Sequence, residues 1–229
     1  MAVAALALGA LSCRSPGSKK SEIAQSNYQL GMSHLVTGDT QSAFVKFHEA
    51  LLLKSNHKEA MNGLGYVYLS RNDYKKAEES FRSATKVDKE YSEAYNNLCF
   101  ALYSQGMFNE AIESCMQALE NPVYPSPEKA FYNTGRSYHK MGRYKDAIGA
   151  FEEALKRHPN FFQGLYAQAL SYNSDRQYGK AAEAMNLAVG LDPRFKGDKH
   201  LAESKFRELK EKGIIAPDEV SQFLEILHY

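Results

Sequence analysis

Three cysteines and seven histidines are the side chains of this 229-residue sequence best suited to covalent or metal chemistry. The histidines, His34, His48, His57, His139, His158, His200 and His228, are scattered along the chain, and no His-Glu-x-x-His pair puts two ligands on one helix face. A bound metal is therefore not expected. Neither a Gly-rich phosphate loop nor a nucleophile-elbow pattern is present. The acidic pairs Glu78-Glu79 and Glu152-Glu153 read as solvated outer faces of helices. The sequence thus points to no catalytic residue, no cofactor and no small-molecule substrate. What remains is the chemistry of the thiols and of side-chain recognition.

Cys13 follows a run of small apolar residues, Ala2 to Leu11, and precedes the polar stretch Arg14 to Lys20. The run is too short to span a bilayer. It reads as the core of a secretory signal, and a cysteine just after it resembles the bacterial lipoprotein cleavage site. Residues 1–13 are then a signal peptide and lipobox, Cys13 is the lipid-anchored first residue of the mature chain, and 14–23 is a linker. Several acyl chains, at about 0.8 kcal/mol per buried methylene, would hold such a protein on a membrane almost irreversibly. The alternative is an N-terminal tail with an incidental cysteine.

The elements that must position everything else come from an internal period. Ala43, Ala77 and Ala111 are spaced 34 residues apart, Ala147 follows after 36, and Ala181 after another 34. Around them, apolar residues recur at helical spacing beside small residues where two backbones approach closely. Leu64, Gly65, Tyr68, Ala77, Phe81 and Ala84 show the pattern of large, small and aromatic positions in full. Turn residues separate the paired helices at Thr37-Gly38-Asp39, Arg71-Asn72-Asp73, Gln105-Gly106-Met107 and Met141-Gly142-Arg143. This is the tetratricopeptide-repeat (TPR) pattern. It predicts an all-α solenoid of five helix-turn-helix repeats over 24–195, coiled into a right-handed superhelix. An irregular sixth pair over 196–229 would seal the open end.

In the third repeat the small and aromatic positions are taken by Cys99 and Cys115. Both thiols should face the space between the two helices. A disulfide across the pair and two buried thiols acting as small hydrophobes are both open readings.

The inner wall of such a superhelix is lined by the first helix of each repeat, so side chains one turn apart there face a shared groove. By register these are Tyr28, Met32 and Leu35; Asn62, Tyr66 and Leu69; Asn96, Phe100 and Tyr103; Tyr132, Arg136 and His139; and Tyr166, Leu170 and Asn173. A wall this rich in Tyr, Phe, Leu and Met suits an apolar or amphipathic peptide, with Asn62 and Asn96 able to bond its backbone. For each aromatic taken singly, packing against the next repeat is the competing role. The formal net charge of +1, 28 basic against 27 acidic side chains, provides no summed field toward nucleic acid or an anionic membrane.

One segment departs from a generic repeat. Asn121-Pro122-Val123-Tyr124-Pro125-Ser126-Pro127 accounts for the two-residue insertion, and its three prolines predict a stiff extended link. Preceded by Ala118-Leu119-Glu120 and followed by Tyr132-Asn133-Thr134-Gly135, it resembles the matching join in the type IV pilus pilotins, the PilF/PilW/Tgl lipoproteins. These are similar in length, repeat number and lipidated N-terminus. The resemblance implies a lipid-anchored protein on the periplasmic face of the outer membrane. Its partner would be the secretin PilQ, held in the concave groove, whose insertion and multimerisation it would promote for pilus assembly and motility. The alternative is a TPR scaffold of the periplasm or cytosol unrelated to pili.

Overall fold

The computed structural model describes residues 16–214 and 216–229, so Cys13 and the apolar run before it lie outside the described residues. Among the described residues there are twelve α-helices and no strand: α1 Pro16–Val36, α2 Thr40–Leu53, α3 Lys58–Ser70, α4 Tyr74–Val87, α5 Ser92–Ser104, α6 Phe108–Leu119, α7 Pro127–Lys140, α8 Tyr144–Arg157, α9 Phe162–Ser174, α10 Tyr178–Leu191, α11 Lys199–Glu211 and α12 Pro217–Leu227. From α1 to α10 each helix packs on the one before and the one after it, as a solenoid requires. None of the described helices is long and apolar enough to cross a membrane.

The pairing rests on a knob of ring and a hole of glycine. A Cβ on Gly31 or on Gly63 would lie 2.6 Å from the Phe47 ring, one on Gly135 would lie 2.6 Å from Phe151, and one on Gly65 would overlap Phe81. All three phenylalanines are fully buried. The second helix of each of these repeats therefore reaches the backbone of the first, an approach that any side chain at the glycine would block. In the third repeat the same two places hold Cys99 and Cys115. Their sulfurs are bonded and their Cα atoms are 5.3 Å apart, so a covalent link stands where the neighbours have a ring against a glycine.

The turns inside the repeats close through one residue in the left-handed region. Gly38, Gly106 and Gly142 take φ of 80°, 79° and 73° at no steric cost, whereas Asn72 and Arg176 take 57° and 62° with a side chain present. Asp39 and Asp73 follow as N-caps, accepting from the amides of Ser42 at 2.9 Å and Lys76 at 3.2 Å.

Two expectations about connections are corrected. Residues 16–23, expected to belong to a linker, form the first turns of α1. Proline is tolerated at a helix start, and the helix it opens carries the fully buried Ala24 and sets the Gln25 side chain 3.1 Å from the His57 ring. The proline-rich join is a folded turn and not an extended link. The Tyr124 amide bonds the Asn121 carbonyl at 3.1 Å, with Pro122 supplying the fixed φ of a turn position. The turn sends the Tyr124 ring, 7% exposed, into the core of the third repeat, which is how the solenoid absorbs two extra residues.

The last pair departs from the solenoid geometry. It is α12, and not α11, that packs against α10 and reaches α9, while α11 packs on α12. Phe206 of α11 and Phe223 of α12 stack with centroids 5.0 Å apart and both meet Tyr166 of α9, at 5.9 and 5.7 Å. The cap thus folds over the concave side of the fifth repeat.

Candidate partner-binding groove

The first helices α1, α3, α5, α7 and α9 carry the residues expected on the inner wall, and the structure divides them into three groups. Tyr28, Met32 and Leu35 pack on the core of the first repeat. Tyr28 lies 6.1 Å from the Phe47 ring and 5.4 Å from His57. Asn62 and Asn96 are each 8% exposed and serve as rungs between repeats. Asn62 accepts from the Asn97 side chain at 2.9 Å and Asn96 from Asn133 at 3.1 Å. Their side-chain carbonyls are thus taken by neighbouring helices, because a buried amide must find a partner within the fold, while Asn96 also lines the groove. At the far end, Tyr166 and Leu170 are 8% exposed beneath α11 and α12, and Asn173 accepts from the Tyr229 hydroxyl at 3.0 Å. The cap ends the groove at the fifth repeat.

The residues in between form two adjoining hollows of about 360 and 400 Å³ that share Tyr132, Arg136 and Gln163 in their walls. The first is lined by Tyr66 and Leu69 of α3, Asn96 and Phe100 of α5, and Phe161 at the start of α9. The second runs from Tyr103 and His139 to Tyr166 and Leu170, and its far wall is Phe206, Leu209 and Phe223 of the cap. Of the residues expected on the inner wall, the structure brings Tyr66, Leu69, Asn96, Phe100, Tyr103, Tyr132, Arg136, His139, Tyr166 and Leu170 together around these hollows. The register missed Phe161, Phe162, Phe151 and the whole cap wall. Phe161 carried a signal in the motif His158-Pro159-Asn160-Phe161, whose proline ends one repeat so that the next aromatic opens the following one. The cap residues carried none, since they fall outside the period.

Arg136 stands at the junction of the hollows with its guanidinium carbon 4.2 Å from the Tyr103 ring centroid, 5.5 Å from Tyr132 and 5.7 Å from Phe100. Such contacts contribute about 0.5–2 kcal/mol each and hold the group in place. Among the described residues no carboxylate lies within ion-pair distance of it. Next to it, His139 Nδ1 lies 2.9 Å from the Ser171 hydroxyl, which itself donates to the Ala167 carbonyl at 3.0 Å, so Nδ1 carries the proton. Burial, aided by Lys140, pushes the His139 pKa down to about 4. The imidazole is therefore neutral near pH 7 and Nε2 is an acceptor. Burial also raises the Tyr132 phenol, against the opposing pull of Arg136. The groove is thus ring-lined, with the guanidinium of Arg136 at its centre and charged side chains in the outer parts of its wall, which suits it to hold a polypeptide.

Among the described residues no cluster of three or more His, Cys, Asp or Glu could hold a metal ion.

Three tetratricopeptide-repeat family models match residues 65–106, 90–160 and 132–194, between them more than half the chain. A comparison with curated protein sequences returns no match. Among solved structures, PilF of Pseudomonas aeruginosa is similar with a TM-score of 0.70 and 24% identity over 90% of this chain and 98% of PilF. PilW, described as a widely conserved type IV pilus biogenesis factor, is similar with a TM-score of 0.69 and 21% identity over 89% of this chain and 99% of PilW. YrrB, described as a TPR protein with an unusual peptide-binding site, is similar with a TM-score of 0.61 and 20% identity over 84% of this chain and 98% of YrrB. The repeat period, the glycine-ring interlocks and these matches agree: the chain belongs to the tetratricopeptide-repeat proteins.

Proposed function

We propose that this protein is a pilotin: an outer-membrane lipoprotein, anchored through Cys13, that holds a segment of the type IV pilus secretin in its groove and promotes multimerisation of the secretin. The observation that carries this reading is the likeness to PilF and PilW, which spans 90% and 89% of this chain with TM-scores of 0.70 and 0.69, against 84% and 0.61 for YrrB. Two further features support it. The Cys99–Cys115 bond suits an oxidising compartment such as the periplasm. The apolar run before Cys13 suits export and acylation.

The physical role needs no covalent chemistry. Acyl chains hold the protein at the membrane while the groove holds the partner, so the local concentration of secretin rises where the ring assembles. The test is deletion of the gene in the native host, followed by outer-membrane extracts run under conditions that preserve secretin multimers. Multimers should vanish while monomer persists. Unchanged multimers would sink the reading and leave a TPR scaffold with another partner, the role favoured by the likeness to YrrB.

A further inference from the structure

We infer that the groove reads an acidic side chain, an Asp or Glu within an extended apolar segment of the partner, and that Arg136 is the residue that reads it. This rests on the groove being the binding surface, but not on the partner being a secretin.

Charge complementarity is the first ground. A guanidinium has five donors in a fixed plane, and those of Arg136 meet no carboxylate of the described fold. The rings of Phe100, Tyr103 and Tyr132 occupy the faces around the cation at 4.2 to 5.7 Å, which restrains it without using its N–H groups. A restrained, half-buried guanidinium lacking an acceptor is suited to a carboxylate, which it can grip in two parallel bonds.

Position is the second ground. Arg136 lines both hollows, so a chain lying in the groove continues past it on either side and presents a side-chain carboxylate there. Neighbouring aromatic or aliphatic side chains of that chain would fill the 360 and 400 Å³ spaces.

The surrounding charges narrow the sequence further. Lys129 lies in the wall of the first hollow, and Lys140 and Arg194 in that of the second, where Asp218 and Glu219 of α12 also stand. Arg194 is committed to Asp192 at 2.6 Å. Lys129 and Lys140 add to the positive field on either side of Arg136, whose ring-restrained guanidinium is shared by both hollows, so the anion is placed at Arg136 and whatever lies beyond the second hollow, against α12, should be neutral or basic.

The test is to pan a random-peptide display library on the full chain and to measure the selected peptides by fluorescence anisotropy. The expected consensus is one acidic residue with apolar neighbours on both sides. Replacing that residue by its amide in the peptide should weaken binding about tenfold or more, as loss of a charge-assisted bond does. Arg136→Gln should weaken the acidic peptide equally and the amide peptide hardly at all, and Arg136→Lys should fall between because lysine lacks the planar fork. The peptide substitution leaves the protein untouched, so the result does not hang on how the variants fold. An absent consensus, a consensus without an acidic residue, or equal affinity of the two peptides for the native chain would overturn the inference. The secretin-multimer assay is a separate readout: its failure removes the pilotin reading and leaves Arg136 as the anion site.

Discussion

Cys99 of α5 and Cys115 of α6 are bonded at the two positions where the first, second and fourth repeats set a glycine against a phenylalanine ring. Both cysteines are fully buried, and the link closes a sequence separation of 16 residues. The third repeat has therefore exchanged shape complementarity for a covalent constraint. Replacing both by serine should cost about 3 kcal/mol, the loop-closure contribution for a loop of this size, plus the burial of two unpaired hydroxyls. The double variant Cys99→Gly/Cys115→Phe should recover much of that loss by restoring the interlock of its neighbours. Urea unfolding of the three proteins, with and without reductant, checks both statements, and only the native chain should respond to reductant.

The glycine-ring interlock makes an equally sharp pair of predictions. Gly65→Ala forces a methyl into the buried Phe81 ring and should destabilise by about 1–3 kcal/mol. Gly149→Ala, within α8 and with nothing within 4 Å of the added carbon, should stabilise by about 0.5–1 kcal/mol through backbone entropy and helix propensity. Thermal denaturation of both variants would show opposite shifts. Shifts of one sign would mean that packing at Gly65 does not control the repeat.

Stability should fall on acidification through His139. Its folded pKa, pushed down by burial to about 4, lies below its ordinary value near 6.5, so the unfolded chain binds a proton that the folded chain refuses. The contribution is complete above about pH 6.5 and is lost as the pH falls toward 4, on the order of 3 kcal/mol in all. In His139→Gln the unfolding free energy should be flatter across that window. Chemical denaturation at a series of pH values measures this.

Tyr66 and Phe100 lie in the wall of the open hollow and are not among the fully buried residues, so charge there should spare the fold. Tyr66→Glu and Phe100→Glu should keep the helical circular-dichroism signal and weaken partner binding by about 2 kcal/mol or more, the scale of a lost aromatic anchor. A pull-down of the partner, with dichroism as the control for folding, decides it. Retained binding in both variants would place the binding surface elsewhere on the solenoid.

Much of the architecture was legible in the sequence because a solenoid is built from local, repeated contacts. The 34-residue period, the small-large alternation and the turn residues fixed the helix pairs, placed Cys99 opposite Cys115, and put Tyr66, Phe100, Tyr132 and Arg136 on one wall. Three features depended on partners distant in the chain or outside the period. Asn62 and Asn96 took buried amide partners from the next repeat and became rungs. Tyr124 turned inward because a proline turn happened to aim it at a core with room for a ring. Tyr166 and Leu170 became the covered end of the second hollow and Asn173 was taken by the Tyr229 hydroxyl, because the terminal helices folded back over them, a docking set by the complementary rings of Phe206 and Phe223. Periodicity states which face a side chain is on; only the folded chain determines what covers that face, because burial is a property of the contacts made and not of the residue that makes them.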